Sequence, residues 1–157
     1  MNSTDNLKLS GKLNIVVTGE DGSIKETREV NNLVVTKGLT YIASRMKDAT
    51  AAAASHMAIG TSNTAAAAAQ ENLQAAESAR VALTSITPAA SSVAFVATFG
   101  AGVGTAALQE AAIFNYATYA ATPGANQFML CRTTFPVINK AAADTMTITW
   151  TINLAAV

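Results

Sequence analysis

The chain has 157 residues, half of them hydrophobic, which suits one domain with a sizeable core. The ten basic and ten acidic residues give a net charge of zero, so the chain lacks the surplus of basic residues that nucleic-acid binding needs. No run of roughly 18 to 20 apolar residues occurs, which argues against a membrane-spanning helix.

The first segment, residues 1–11, is polar and lacks the apolar stretch of a secretory signal. We therefore expect a flexible N-terminal arm over residues 1–11, followed by a single β-sandwich domain over residues 12–157, in a protein made in the cytoplasm. The single cysteine, Cys131, excludes a disulfide within the chain and is consistent with a reducing compartment.

A β-hairpin is predicted at the start of the domain. Residues 12–18 and residues 24–30 are rich in β-branched side chains and alternate loosely between apolar and polar. Asp21-Gly22 lies between them and is typical of a tight hairpin turn. Asn31-Asn32 then predicts a break, after which Leu33-Val34-Val35 resumes the strand pattern.

One short helix is predicted near residues 37–47. Thr36 is the expected N-cap, because its hydroxyl can accept a hydrogen bond from a free backbone N–H of the first turn. Arg45 and Lys47 stand near the C-terminal end, where the helix dipole favours positive charge. An apolar stripe at helical spacing predicts the buried face, which comprises Leu39, Ile42, Ala43 and Met46.

The middle of the chain is rich in alanine, and residues 49–54 and 65–69 are interpreted as loops or as short helices held by neighbours. His56–Gly60 predicts a short buried strand between them. From Arg80 onward the pattern predicts only strands, over residues 80–87, 92–99, 111–115, 127–135 and 145–154.

The strand over residues 145–154 has the clearest pattern. Apolar side chains at the even positions alternate with threonine or asparagine at the odd positions, so one face is apolar and the other is polar without charge. About eight short strands and one helix predict a mainly β fold. We expect a single-domain antiparallel β-sandwich of the jelly-roll or Greek-key type, with one short helix near residues 37–47.

Groups that could perform chemistry are scarce. His56 is the single histidine, and no local signature marks Cys131 as a nucleophile. Paired carboxylates for acid–base catalysis would require Glu110 to meet Asp144, or Glu71 to meet Glu77. Ligand clusters for a metal are also lacking. We therefore predict no catalytic, cofactor-binding or metal-ligating residues, no cofactor and no small-molecule substrate.

A glycine-rich run and two arginine residues are the remaining candidate functional features in the second half of the chain. The run from Gly100 to Gly104 lacks the spacing and the lysine of a phosphate-binding loop, so it predicts a flexible connection between strands. Arg80 and Arg132 interrupt otherwise neutral strands. They are either ordinary surface residues or members of interface ion pairs, with Glu77 and Glu110 as possible partners.

The second half of the chain is unusually poor in charge. Residues 91–157 contain only four ionisable acidic or basic side chains: Glu110, Arg132, Lys140 and Asp144. A free monomer normally carries many lysine, glutamate and aspartate side chains on its solvent-exposed surface. We therefore expect protein neighbours to cover this part of the molecule.

Several segments together carry a resemblance to a known group of proteins. In order and spacing they are VNNLVVTKG (30–38), YIASRM (41–46), HMAIGT (56–61), ESARVAL (77–83), FVATF (95–99), LQEAAIFN (108–115), MLCRTTF (129–135) and TMTITW (145–150). This set, over roughly residues 12–154, resembles small virion structural proteins of tailed bacteriophages, which are either capsid cement (decoration) proteins or tail-associated proteins.

The resemblance implies a non-enzymatic part of the virion, made in the host cytoplasm, and leaves both the capsid and the tail as its location. Our leading hypothesis is a capsid cement protein, with the capsid surface favoured over the tail. A cement protein of this kind would bridge and stabilise major capsid protein subunits, with the major capsid protein and neighbouring copies of itself as partners. It would form a homo-oligomer and contact neither nucleic acid nor membrane. We expect the arm (residues 1–11) and the first hairpin to reach a neighbour, and the neutral Thr/Ala faces to pack laterally.

Two alternatives stay open. A tail, baseplate or fibre-associated protein would bind a host surface, and the loop over residues 115–127 places Tyr116, Tyr119 and Phe128 in or near a plausible recognition site. An enzyme with dispersed catalytic residues is disfavoured by the single histidine and the single cysteine.

Overall fold

The computed structural model of the protein describes residues 7–156, which form nine strands and one helix. The first part of the chain contains a long hairpin followed by the helix. The remaining seven strands follow the helix, and the loops between them differ widely in length. In chain order the elements are β1 (Leu7–Thr18), β2 (Ile24–Val34), α1 (Thr36–Lys47), β3 (His56–Gly60), β4 (Glu77–Ala82), β5 (Ser85–Pro88), β6 (Ser92–Phe99), β7 (Ala106–Phe114), β8 (Met129–Lys140) and β9 (Thr145–Ala156).

All nine strands belong to one antiparallel sheet with the order β4-β3-β7-β8-β2-β1-β9-β6-β5. β4 and β5 lie at opposite ends of this order, yet only Leu83 and Thr84 separate them along the chain. The sheet must therefore curl until its two ends approach each other, and β4 contacts β6 across the closure. The apolar side chains inside the curl form the core.

The mainly β class, the antiparallel pairing and the single short helix are confirmed. The β-sandwich arrangement and its jelly-roll or Greek-key type of connection stay predictions. The predicted strand over residues 80–87 is wrong, because it is two strands. The backbone N–H of Leu83 donates to Ser55 O and that of Thr84 donates to Val96 O, so the chain changes partners between these two residues.

The predicted boundary of the N-terminal arm is also corrected. Residues 7–11 belong to β1, which pairs with β9 from Leu7 opposite Ala156 to Thr18 opposite Thr145. Residues 1–6 of the predicted arm lie outside the described residues. The break predicted at Asn31-Asn32 is absent, since β2 continues to Val34. Gly11 faces Asn32 across the sheet and leaves room for its side chain, which a Cβ at Gly11 would overlap.

The core fills the inside of the curl. The inward residues of β1, β6 and β9 are buried and alternate with outward residues, as the sequence pattern of residues 145–154 predicts. A smaller cluster lies on the opposite face of β3, β7 and β8, so these strands are buried on both faces. The smaller cluster comprises Val35, Ala58, Leu73, Ala112, Phe114, Tyr116 and Met129.

Helix α1 docks on β8 through a very close backbone approach. A Cβ on Gly38 would lie 1.9 Å from the carbonyl oxygen of Leu130, so only glycine fits there. One turn later Tyr41 enters the core, and its hydroxyl accepts a hydrogen bond from the backbone N–H of Ala54 at 2.9 Å. These two residues are the buried ones of the helix.

Two predictions for this helix are wrong. The N-cap is Val35 without a side-chain hydrogen bond, because the helix already includes Thr36, whose N–H donates to Ala68 O. The predicted buried stripe instead faces solvent at Leu39 and Met46, which are 46% and 88% exposed. The side of the helix that faces the sheet instead carries Gly38 and Tyr41, and of the predicted stripe Ile42 packs against the core. The alanine-rich residues 49–54 and 65–69 form loops.

Candidate interaction surface

A fully buried ion pair lies on the outward side of β7 and β8. Glu110 and Arg132 are both inaccessible to solvent, and Glu110 Oε2 accepts from Arg132 Nε at 2.9 Å and from Nη2 at 2.8 Å. The predicted partner of Arg132 is therefore found within the same chain. The interpretation of Arg132 as a surface or interface residue is wrong.

This ion pair holds the long loop between β3 and β4. Glu110 also accepts hydrogen bonds from the backbone N–H groups of Ser62, Gln74 and Ala75. Arg132 donates to the carbonyl of Thr64 and to the side chain of Gln70. The two charges thus pin an alanine-rich segment that has few anchors of its own, and this loop contributes Leu73 to the smaller cluster.

The second predicted arginine has the same kind of role. Arg80 forms an ion pair with Glu77, including a hydrogen bond from Nε to Oε2 at 3.1 Å, and it donates to the carbonyl of Tyr116. Its guanidinium carbon stands 3.9 Å from the centre of the Phe114 ring. Because the Arg80 side chain is only 5% exposed, it packs the outside of the sheet and is not free to bind a partner.

The candidate carboxylate pairs do not act together, because each carboxylate is bound to a different cation. Asp144 contacts Lys25 at 2.9 Å, and Glu71 contacts Lys37 at 3.5 Å. The Lys25 ammonium and the N–H of Ala141 hold the pKa of Asp144 below its usual value. Among residues 7–156 no group of three histidine, cysteine, aspartate or glutamate residues is placed to bind a metal ion.

Lys140 was not singled out by the sequence analysis, yet it is almost completely buried. Its ammonium donates to the carbonyls of Gly100 and Asp144, which ties the β6–β7 loop to the β8–β9 turn. Burial lowers the pKa of Lys140. The signal that could have identified it is its place among only four charged side chains in residues 91–157.

His56 and Cys131 have ordinary structural surroundings. His56 Nδ1 lies 2.8 Å from the hydroxyl of Ser55, and partial burial together with nearby Arg80 lowers its pKa. Cys131 points into the main core, where burial raises the pKa of the thiol well above its usual value. A thiol held in its neutral form is a poor nucleophile.

The outward side chains of β6 and β9 form a continuous surface without charge, here called the neutral face. On β9 the residues at positions 145, 147, 149 and 151 are all threonine, and Thr147 Oγ1 lies 3.4 Å from Thr98 Oγ1 on β6. The face is bordered by Lys8 and Lys12 of β1, which lie opposite Ala155 and Thr151 of β9, and Lys12 forms an ion pair with Glu29 of β2. The members of the neutral face are Ser92, Ala94, Val96, Thr98, Thr145, Thr147, Thr149, Thr151, Asn153 and Ala155.

A second candidate surface is the exposed apolar side of α1, here called the α1 stripe and composed of Leu39, Ala43 and Met46. All three residues face solvent, and Met46 is the most exposed large hydrophobic residue of the described chain. They lie on one side of the helix because they are spaced by four and three positions. Exposed apolar side chains grouped on one side of a helix make this stripe a candidate contact surface.

The predicted recognition loop is only partly available to a partner. Tyr116 and Phe128 are buried, and the Tyr116 hydroxyl donates to Asn72 Oδ1 at 3.1 Å. Tyr119 is 53% exposed and lines a shallow pocket of about 420 Å³ together with Glu77 and Arg80. A contact through this loop would therefore centre on Tyr119.

Two further findings bear on the setting of these surfaces. In the described part of the chain, no helix has both the length and the apolar character needed to span a membrane. Comparisons with models of protein families, with curated proteins and with solved structures found no match to this chain.

Proposed function

We propose that this chain is a non-enzymatic structural protein of a tailed bacteriophage particle, and specifically a capsid cement protein that bridges major capsid protein subunits. The observation that carries the proposal is the neutral face, a broad outer sheet surface with no ionised side chain. The phage setting is supported by the sequence segments between residues 30 and 150, which in their order and spacing resemble virion structural proteins of tailed bacteriophages.

The neutral face suits burial against another protein because its desolvation is cheap. Burying an unpaired lysine or glutamate costs several kcal/mol, whereas threonine hydroxyls can form hydrogen bonds across the interface while their methyl groups pack. Protein interfaces are depleted in lysine, glutamate and aspartate at their centres. The neutral face has this composition, and we assign it to lateral contacts with capsid subunits or with neighbouring copies.

The α1 stripe supplies an apolar contact of a different kind. Burial of apolar area contributes about 25 cal/mol per Å². One such patch is too small to hold a partner alone, but a protein that contacts several shell subunits at once gains from each contact through high effective concentration. Many weak contacts per copy, repeated over the shell, would stabilise the particle.

The internal polar contacts support a structural role. Glu110, Arg132, Arg80 and Asp144 each form specific hydrogen bonds that fix loops to the sheet. These charged groups are engaged inside the molecule, and none of them belongs to the neutral face or to the α1 stripe. The first hairpin also exposes Ile24, which is 68% accessible, and we assign it to contact with a neighbouring subunit.

The experiment uses purified particles that contain this chain. Cryo-electron microscopy and quantitative mass spectrometry give the position and copy number. Thr149→Lys on the neutral face and Met46→Asp on the α1 stripe are expected to lower occupancy on the shell and to reduce the resistance of particles to heat. Val103→Asp, at another exposed apolar residue in the β6–β7 loop, serves as the matched control and should keep full occupancy.

A small copy number with density only on the tail would contradict the cement assignment. Unchanged shell occupancy for both Thr149→Lys and Met46→Asp would show that neither surface makes the contact. Folding of each variant is checked beforehand by the fluorescence of Trp150, the single tryptophan, which is completely buried.

A tail, baseplate or fibre-associated protein is the second candidate, and one observation favours it. Tyr119 lies exposed beside the Glu77–Arg80 ion pair in a shallow pocket. An exposed aromatic ring at the edge of a shallow pocket is suited to stack on a sugar of a host surface. If this candidate holds, Tyr119→Ala should abolish binding of the purified protein to host cells, while Tyr119→Phe should retain most of it.

A further inference from the structure

An apolar cavity of about 320 Å³ opens at one end of the curled sheet, between α1 and the strands β1, β6 and β9. Its size is at the lower end of the range for small-molecule sites. Aliphatic and aromatic side chains form most of its wall, including Leu9, Ile42, Phe95, Leu130, Ile152 and Leu154. The cavity lies apart from both the neutral face and the exposed α1 stripe, since its helix residues are on the sheet side of α1.

Polar groups are few in this cavity and occupy defined positions. The Tyr41 hydroxyl is engaged by the N–H of Ala54. Among the residues that the structure describes, Arg45 is the one charged residue that lines the cavity, and its Nη1 donates to the carbonyl of Ala51 at 2.8 Å. This hydrogen bond anchors the guanidinium at the rim and leaves its other edge for a ligand.

The nearest carboxylate does not neutralise Arg45 directly. Asp48 forms its ion pair with Lys47 at 3.1 Å and accepts a hydrogen bond from the N–H of Thr50. Within residues 7–156, Arg45 forms no ion pair. A planar guanidinium is well suited to bind a carboxylate through two parallel hydrogen bonds.

We propose that this cavity binds a small aliphatic carboxylate, with the alkyl chain inside the apolar wall and the carboxylate on the guanidinium of Arg45. The chain of the ligand replaces contact with water by contact with Phe95, Leu130 and Ile152. The head group stays at the rim, where Arg45 selects negative charge. This inference is independent of the proposed function, because it concerns a different part of the molecule.

The probe is decanoate at a concentration below its critical micelle concentration. Phe95 is the cross-strand neighbour of Trp150 and lines the cavity, so Trp150 fluorescence reports occupancy, and calorimetry gives the affinity. We expect saturable binding of one decanoate. Decyltrimethylammonium, which has the opposite charge, should bind at least about tenfold more weakly, and acetate, which lacks the chain, should not bind.

Two pairs of variants separate the head group from the chain. Arg45→Gln should weaken decanoate binding by roughly three- to tenfold, while Lys47→Gln, which removes the same charge two positions along the helix, should leave it unchanged. Ala53→Phe places a ring at the mouth of the cavity and should block binding. Ala52→Phe, at the adjacent exposed position that does not line the cavity, is its control.

The proposal would be overturned by the absence of saturable binding, by equal affinity for decanoate and decyltrimethylammonium, or by full binding of decanoate to Ala53→Phe. Binding to phosphatidylglycerol vesicles without binding of dispersed decanoate would identify a lipid surface as the ligand and would also overturn it. Shell occupancy is measured separately, so failure here leaves the cement proposal standing.

Discussion

Glu110 and Arg132 lie diagonally across the adjacent strands β7 and β8, with neither side chain exposed and two hydrogen bonds between them. Glu110 also accepts three backbone N–H groups of the β3–β4 loop. The carboxylate therefore has partners for both of its oxygens, which makes its burial tolerable. The pair acts as a clamp between the sheet and the loop.

Glu110→Gln is expected to lower the free energy of unfolding by about 3 to 5 kcal/mol, because it leaves the Arg132 charge buried without a counter-ion. Urea unfolding followed by Trp150 fluorescence measures the change. Lys12→Gln, in the exposed Lys12–Glu29 pair, is the control and should cost less than about 1 kcal/mol. Similar values for the two substitutions would contradict the assigned role of the clamp.

Gly38→Ala tests the close contact between α1 and β8. Helix propensity alone predicts a gain of about 1 kcal/mol from alanine. The overlap of the new Cβ with Leu130 O predicts instead a net loss of about 2 kcal/mol or more. Gly100→Ala is the matched control, since no atom of the described residues lies within 4 Å of a Cβ there. A stabilised Gly38→Ala variant in the same urea assay would show that the helix does not rest on Leu130.

Cys131 is expected to resist thiol reagents in the folded protein. Burial in the core both blocks access and raises the pKa of the thiol, so little thiolate is present. Labelling in native buffer should be at least about a hundredfold slower than in denaturant and should follow the opening of the structure as urea is added. Rapid labelling without denaturant would contradict the core position of this residue.

His56 should make stability depend on pH on the acidic side of neutrality. Its folded-state pKa lies below the usual 6.5, chiefly through partial burial and also through Arg80, so the unfolded chain binds a proton more readily. The free energy of unfolding therefore falls as the pH is lowered through 6.5 toward the folded pKa. His56→Gln should flatten the profile in this window. A profile that rises on acidification would show the opposite shift.

The sequence pattern located the elements that depend on strict alternation. Residues 145–154 have one apolar and one neutral face, and β9 has this orientation in the sheet, with Trp150 inside and Thr149 outside. His56–Gly60 and Ser92–Phe99 match their predicted bounds because short buried strands end where the apolar run ends. In these places local residues and tertiary packing impose the same structure.

Contacts between distant residues explain the wrong predictions. The face of α1 that packs inward is decided by Gly38 against Leu130, and no periodicity of residues 36–47 contains this information. Likewise, the change from β4 to β5 at Leu83-Thr84 results from the curl of the whole sheet. The candidate partners of Arg80 and Arg132 were predictable by charge, but their burial was visible only once the loops were placed over them.

Strand β1 has its longest pairing with β9, which is translated last of the nine strands. During synthesis β1 can bind β2 at once, but its other edge stays open until the distant partner has left the ribosome. Folding is therefore expected to be slow and dominated by non-local contacts. In that interval the nascent chain presents an unsatisfied strand edge, so copies made side by side on one message are at risk of joining before each has closed on itself.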